Sequence, residues 1–248
     1  MLAHSTEAIV LRTYDIAEND RILSVFTRDF GKIRGIALGC KRVKEGNLGW
    51  QDTGAHISVH VYEREGLELA RFSRWQLLEH FQKSPKLPNL LNHMYVIELL
   101  CEFSSERLPN PGVFRLALAV LRSLSDSPRP SVQARYFEFW LLRLEGFWPG
   151  MSSCPSCNRP FSQRLGAFSP QSLRLYCRGC APQGALPLSP RDFDLLETFS
   201  RLAPRDLFAA AMENSSLSKL ETMAQTLILR HLEHDLKSYS LVKELAVA

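Results

Sequence analysis

Four cysteines carry the most legible chemistry in this chain. They stand as Cys154-x-x-Cys157 and Cys177-x-x-Cys180 in CPSCNRPFSQRLGAFSPQSLRLYCRGC, nineteen residues apart, in a chain of 248 residues with only two other cysteines, Cys40 and Cys101. Each Cys-x-x-Cys knuckle sets two sulfurs on one side of a tight turn, and two knuckles complete the tetrahedron that Zn²⁺ adopts. Pro155 and Gly179 suit those turns, and Phe168 and Tyr176 supply a small apolar patch between them. Four thiolates leave no coordination position for water or substrate, so the expected role of the metal is structural. A thioredoxin-type pair uses one Cys-x-x-Cys beside a βαβ unit, and a zinc deaminase places His-x-Glu before its cysteines. Neither pattern is present, and no histidine lies between His93 and His231.

Charge supplies the second set of candidates. The net charge of +4 is mild, but its distribution is uneven. Arg28, Lys32, Arg34, Lys41, Arg42 and Lys44 fall within seventeen residues that contain one acid, Asp29. Between Gly150 and Gln183 stand Arg159, Arg164, Arg174 and Arg178, with no acid at all. Local positive fields of this kind attract phosphate backbones. Two readings of the four arginines stay open: they balance a zinc–thiolate centre of formal charge about −2, or they reach nucleic acid.

Other candidates read as structure. Cys40 and Cys101 are expected to be small packed hydrophobes. Trp50, Trp75 and Tyr62 are read as core or rim residues of a barrel, with base stacking as the alternative. Glu18 and Asp20 sit beside Arg21 and are expected to form an ion-paired turn. No phosphate-cradling glycine loop, nucleophile elbow or His-Glu-x-x-His pattern occurs.

The elements that must position these groups differ along the chain. Up to about residue 80, EAIVLRTYD, RILSVFT, GKIRGIALG and HISVHVYEREGLELARFSRW show the alternation of short strands, which fits a small barrel of the OB type. Alternation places Lys32 and Arg34 together on the outer face of one strand, with Ile33 and Ala37 on the other side. Lys41, Arg42 and Lys44 follow in a polar, glycine-containing loop. From Pro85 the spacing becomes helical, through LPNLLNHMYVIELLCEF, GVFRLALAVLRSL and SVQARYFEFWLLRLEGF. Ser189-Pro190-Arg191-Asp192 predicts a new helix start after the cysteines, with helices from Phe193 to Leu202, Leu217 to Leu236 and Leu241 to Leu245. The expected fold is α+β and multidomain: an OB-fold barrel over 1–81, then an all-α domain (82–149 and 184–248) interrupted by a zinc module over 150–183. The start of the chain lacks an export signal, and no run reaches the ~18 apolar residues of a membrane span, so a cytoplasmic protein is expected.

In order and in detail, AIVLRTYD…ENDRILSVFTRDFGKIRGIA, the module CPSC…CRGC set among helices, and the closing KSYSLVKEL resemble the bacterial RecO family of recombination and DNA repair mediators. The resemblance spans nearly the whole chain. It implies a non-enzymatic protein that binds single- and double-stranded DNA and anneals complementary strands. With RecR, such a protein assists loading of RecA onto strands coated by single-strand-binding protein. On this resemblance the DNA-binding face of the barrel maps to Lys32, Arg34, Lys41, Arg42 and Lys44. The sequence departs from the family pattern at Leu38 and Cys40, which weakens the implied basic patch. An adaptor that recruits repair partners through its helices, with DNA binding secondary, is the alternative.

Overall fold

Side chains that alternate between interior and exterior build the N-terminal part of the computed structural model. The structure describes residues 2–41, 49–64, 66–81, 86–161 and 164–247. Strands β1 (Leu2–Asp15), β2 (Arg21–Thr27), β3 (Gly31–Ala37), β4 (His56–Glu63) and β5 (Ala70–Glu79) close into a barrel in the order β1-β2-β3-β5-β4. All neighbours are antiparallel except β3 and β5, which run parallel where Gly35, Ile36 and Ala37 face Ala70, Arg71 and Phe72. This is the OB-type barrel expected from the alternation. Val10, Val25, Ile33, Ile57, Val59 and Val61 are among the residues filling its interior, β-branched side chains that suit a pleated surface.

One side of the barrel exterior is covered by helices. Ile9, Val10 and Leu11 are consecutive yet all buried, because β1 is bulged between Val10 and Arg12 and α1 (Leu87–Phe103) packs outside it. Phe114 of α2 (Pro111–Asp126) lies over Phe26 and His56, with ring centroids 6.0 and 6.1 Å away. The segment after α1 pairs with β3: the Lys32 N–H donates to Ser105 O (3.2 Å) and the Arg107 N–H to Lys32 O (3.1 Å). Gly31 makes this approach possible. Its φ is +70°, and a Cβ there would lie 2.4 Å from the carbonyl oxygen of Leu108. At the other end of the chain, α6 (Lys237–Val247) returns to α1, whose Glu98 accepts the backbone N–H groups of Lys237 (3.2 Å) and Ser238 (2.8 Å). A carboxylate at a helix N-terminus satisfies orphan donors and complements the dipole. Thus Met1–Asp126 with Leu236–Ala248 forms one compact unit.

Ser127–Asp235 forms the second unit. It contains α3 (Pro130–Leu144), the cysteine module, α4 (Pro190–Arg201), a short 3₁₀ turn at Asp206–Phe208 and α5 (Asn214–Leu232). Within the module, β6 (Gly166–Ser169), β7 (Arg174–Tyr176) and β8 (Leu186–Leu188) make a sheet in the order β7-β6-β8. The helix start read at Ser189 is present as a capping box, with Asp192 accepting the Ser189 N–H at 2.7 Å. Lys219 of α5 reaches the same carboxylate at 2.8 Å. An aromatic group of Tyr136, Phe139, Trp148 and Phe199 fills the interior between α3 and α4. Arg135 pairs with Glu138 and Glu221, both at 2.8 Å, and Gln225 donates to Glu138 at 2.8 Å, so the buried charges on the α3–α5 side are paired. Among the described residues, no helix is long and apolar enough to cross a membrane.

Candidate metal centre and nucleic-acid interface

The two knuckles bring Cys154, Cys157, Cys177 and Cys180 together, with all four sulfurs within 4.8 Å of one another. Backbone hydrogen bonds shape both turns: Cys154 N–H to Arg159 O (2.9 Å), Asn158 N–H to Cys154 O (2.8 Å) and Cys180 N–H to Cys177 O (3.0 Å). Asn158 takes φ of +59°, a conformation asparagine tolerates better than most residues. Phe168 of β6 is fully buried, as expected for an apolar patch, whereas Tyr176 is half-buried and donates to Ser172 Oγ at 3.1 Å.

The donor set fits a metal ion. Tetrahedral zinc with sulfurs at ~2.3 Å requires sulfur–sulfur edges of about 3.8 Å. The Cys157 and Cys177 sulfurs are 3.7 Å apart, too far for a disulfide and right for a shared ion. The thiols also differ in acidity. Burial opposes ionisation of Cys154, but hydrogen bonds from the amides of Cys177, Cys157 and Ser156 overcome it and bring the thiol down to about 6. Cys180 is pushed up to about 12, chiefly by its hydrogen bonds with Cys177 and Cys157. Four sulfurs this close cannot all ionise without a cation, and a bound divalent ion supplies that charge.

The four module arginines do not behave alike. Arg164 forms ion pairs with Asp194 and Glu197 of α4, and so ties the module to its neighbouring helix. Arg159, Arg174 and Arg178 are exposed and make no ion pair with a described residue.

On the barrel, the five candidate cations have different fates. Arg34 is exposed on the outer face of β3 and makes no ion pair with a described residue. Lys32 shares that face, but its ammonium donates to Cys101 O at the C-terminus of α1 (3.1 Å). A cation there stabilises the negative end of the helix. Lys41 is held by Asp15 (3.1 Å) and the carbonyl of Ala17 (3.3 Å). Arg42 and Lys44 lie outside the described residues.

The structure adds a residue that the sequence reading missed. The parallel pairing of β3 with β5 sets Arg71 opposite Ile36, and the β4–β5 pairing sets Tyr62 opposite Arg71. Ile22, Ile36, Arg71 and Tyr62 therefore form one rung across β2, β3, β5 and β4, with Arg34 one step away on the same outer face. Arg71 is exposed and makes no ion pair with a described residue. Its alternation with buried Ala70 and Phe72 was visible in the sequence, but its nearness to Arg34 depends on a parallel pairing between distant strands.

The remaining candidates are structural. Trp50 and Trp75 stack on each other at 4.4 Å and 14°, and Trp50 is only 2% exposed within the barrel core. Arg21 pairs with Asp15 at 2.7 Å, not with Glu18 or Asp20 as the turn suggested; Asp20 instead accepts the Gly39 N–H at 2.7 Å. Proximity in sequence misled here because the strand reverses and brings Asp15 opposite Arg21. Cys40 and Cys101 are buried, and burial raises both thiols.

A closed OB-type barrel joined to helices that carry a four-cysteine metal module defines a distinctive class of protein. Two family models match the chain, "Recombination protein O N terminal" over residues 1–81 and "Recombination protein O C terminal" over residues 87–240. The chain belongs to the RecO family of DNA repair proteins. It is 30% identical to the DNA repair protein RecO of Koribacter versatilis over 242 residues, covering 97% of this chain and 98% of that one. It is also 30% identical to that of Desulforudis audaxviator over 253 residues (100% and 99%), and 27% identical to that of Dehalococcoides mccartyi strain 195 over 235 residues (94% and 92%).

Proposed function

We propose that this protein is a non-enzymatic, cytoplasmic recombination mediator that binds single- and double-stranded DNA and anneals complementary strands. In this reading it acts with RecR to assist RecA loading on strands coated by single-strand-binding protein. The observation that carries it is the rung beside Arg34: Arg34 and Arg71, exposed and without an ion pair to a described residue, lie near Tyr62 and Ile36 on the outer face of an OB barrel. Arg34 and Arg71 neutralise phosphates and release counterions, and Tyr62 offers a face on which a base stacks. Arg42 and Lys44 extend the same basic stretch of sequence. Holding two strands while screening their repulsion is sufficient for annealing and needs no covalent step.

The metal in this reading is zinc, held by Cys154, Cys157, Cys177 and Cys180. It would supply cross-linking of two turns that have little core of their own, a folding contribution. Four thiolates complete its coordination, which supports a structural role.

The test is annealing of bare complementary oligonucleotides by the purified chain, together with strand affinity measured across salt. Annealing that falls with Arg34→Glu and Arg71→Glu supports the reading. Activity that appears only when a protein partner is added favours an adaptor that works through its helices.

A further inference from the structure

The knuckle turns fix where two guanidiniums leave the chain. Arg159 follows Cys157 by two residues and Arg178 follows Cys177 by one, and those two sulfurs are 3.7 Å apart. The Arg159 carbonyl is tied to the Cys154 N–H, and the turn containing Arg178 is closed by Cys180 N–H to Cys177 O. Both residues therefore sit in hydrogen-bonded turns clamped by one cluster. Arg174 opens β7, opposite Ser169, three residues before Cys177. At ~3.3 Å per residue that sets its backbone about 10 Å along the strand from the knuckle.

Among the described residues, these three arginines have no ion-pair partner, unlike others in the same unit. Arg191 and Arg201, with side chains 71% and 75% exposed, both pair with glutamates, and Arg164 takes two acids. No acid lies between Gly150 and Gln183, so the module offers nothing of its own to pair with. Part of the alternative duty, neutralising the thiolates, falls to backbone: the amides of Cys177, Cys157 and Ser156 reach the Cys154 sulfur. No guanidinium hydrogen-bonds to a cysteine sulfur among the described residues. A zinc–tetrathiolate carries about −2 and the three guanidiniums carry +3, so the surface stays cationic. Guanidinium is the side chain best matched to phosphate oxygens, through its planar fork of donors. A spread of about 10 Å is long enough to reach neighbouring phosphates of one strand, whose axial rise in a duplex is ~3.4 Å per nucleotide.

We propose that the cysteine module is a second phosphate-binding surface, on which Arg159, Arg174 and Arg178 engage the backbone of a nucleic-acid strand independently of the barrel. This rests on the reading of the protein as a DNA binder, and it gives a strand-annealing protein two contact surfaces carried by separate compact units.

The experiment uses the full, metal-loaded chain and a labelled oligothymidylate, with binding followed by anisotropy across salt. The triple variant Arg159→Gln, Arg174→Gln, Arg178→Gln is expected to lower the slope of log K against log salt by about 2, at ~0.7 per lost contact on a single strand. Its metal content stays at the wild-type value, and the triple Arg→Lys variant keeps most of the slope. An unchanged slope with metal retained overturns the proposal. If the triple variant loses metal, Arg174→Gln alone decides, because it lies outside both knuckles: a drop of about 0.7 supports the surface and no drop overturns it. Arg34→Glu with Arg71→Glu separates the two readings. Loss of slope in this barrel variant but not in the module variant overturns only the second surface. Loss in the module variant alone overturns the barrel face and leaves the second surface standing. A wild-type chain that binds no oligothymidylate overturns both.

Discussion

Lys32 and Arg34 differ in what their charges already hold. Both lie on the outer face of β3, but the Lys32 ammonium donates to the α1 carboxyl-terminal carbonyl of Cys101, whereas Arg34, near Arg71, makes no ion pair with a described residue. Arg34→Glu with Arg71→Glu is therefore expected to weaken single-strand binding and to lower the salt slope by at least about 1.4, at ~0.7 per contact, with little change in stability. Lys32→Gln should do the reverse: a loss of about 1 kcal/mol in urea unfolding and a nearly unchanged salt slope. A second residue couples stability to pH. His93 of α1 is buried against Gly54, and desolvation, helped by the charge of His80, pushes it down to about 4 from 6.5. Between these values the unfolded chain takes up a proton that the folded chain refuses. This contribution is present in full above pH 6.5, is lost as pH falls toward 4, and changes no further below. Unfolding at pH 5 should be about 2 kcal/mol easier than at pH 7 through this group. Loss of that difference in His93→Gln, with urea midpoints measured at both pH values, checks the origin.

Whole elements depend on a few contacts that their own sequence does not contain. The β2–β3 turn is held by Thr27, whose hydroxyl donates to Gly31 O (2.8 Å) and accepts the Phe30 N–H (3.0 Å). The chain after α1 passes so close to Gly31 that a side chain there strikes backbone. Gly31→Ala combines a left-handed backbone with that clash and should cost about 2–4 kcal/mol, seen as a lower urea midpoint. The start of α4 is a more modest case. Ser189→Ala removes the cap hydroxyl beside Asp192 while leaving the Lys219 pair, so a loss of about 1 kcal/mol is expected in thermal unfolding. The closing KSYSLVKEL forms α6, and its docking on Glu98 explains how the end of the chain joins the unit that contains the beginning.

For the whole molecule, two separately cored units and one metal module imply selective responses. Bound metal is expected near one ion per chain by elemental analysis. Chelation or Cys177→Ser should destabilise Ser127–Asp235, seen as a calorimetric transition that shifts down while that of the barrel unit stays in place. The amides that lower Cys154 prepare one thiolate before the ion arrives, and the ion must then displace the proton from Cys180. Metal affinity should accordingly fall as pH is lowered.

Much of this protein is legible before folding. Two Cys-x-x-Cys pairs announce a four-cysteine cluster that could hold a metal ion because the turn that joins each pair is local. Alternation located five barrel strands, and three-to-four spacing located the helices, because both periods arise from nearest neighbours along the chain. What the sequence could not carry was who stands beside whom across elements. Arg71 joins Arg34 only through the parallel β3–β5 pairing, and the Lys32 ammonium finds a carbonyl partner only because α1 ends within its reach. Arg164 separates from the other module arginines only because Asp194 and Glu197 come round on α4. Charge clusters are read from spacing, but whether a charge is free is decided by partners tens of residues away, and those are set by tertiary structure alone.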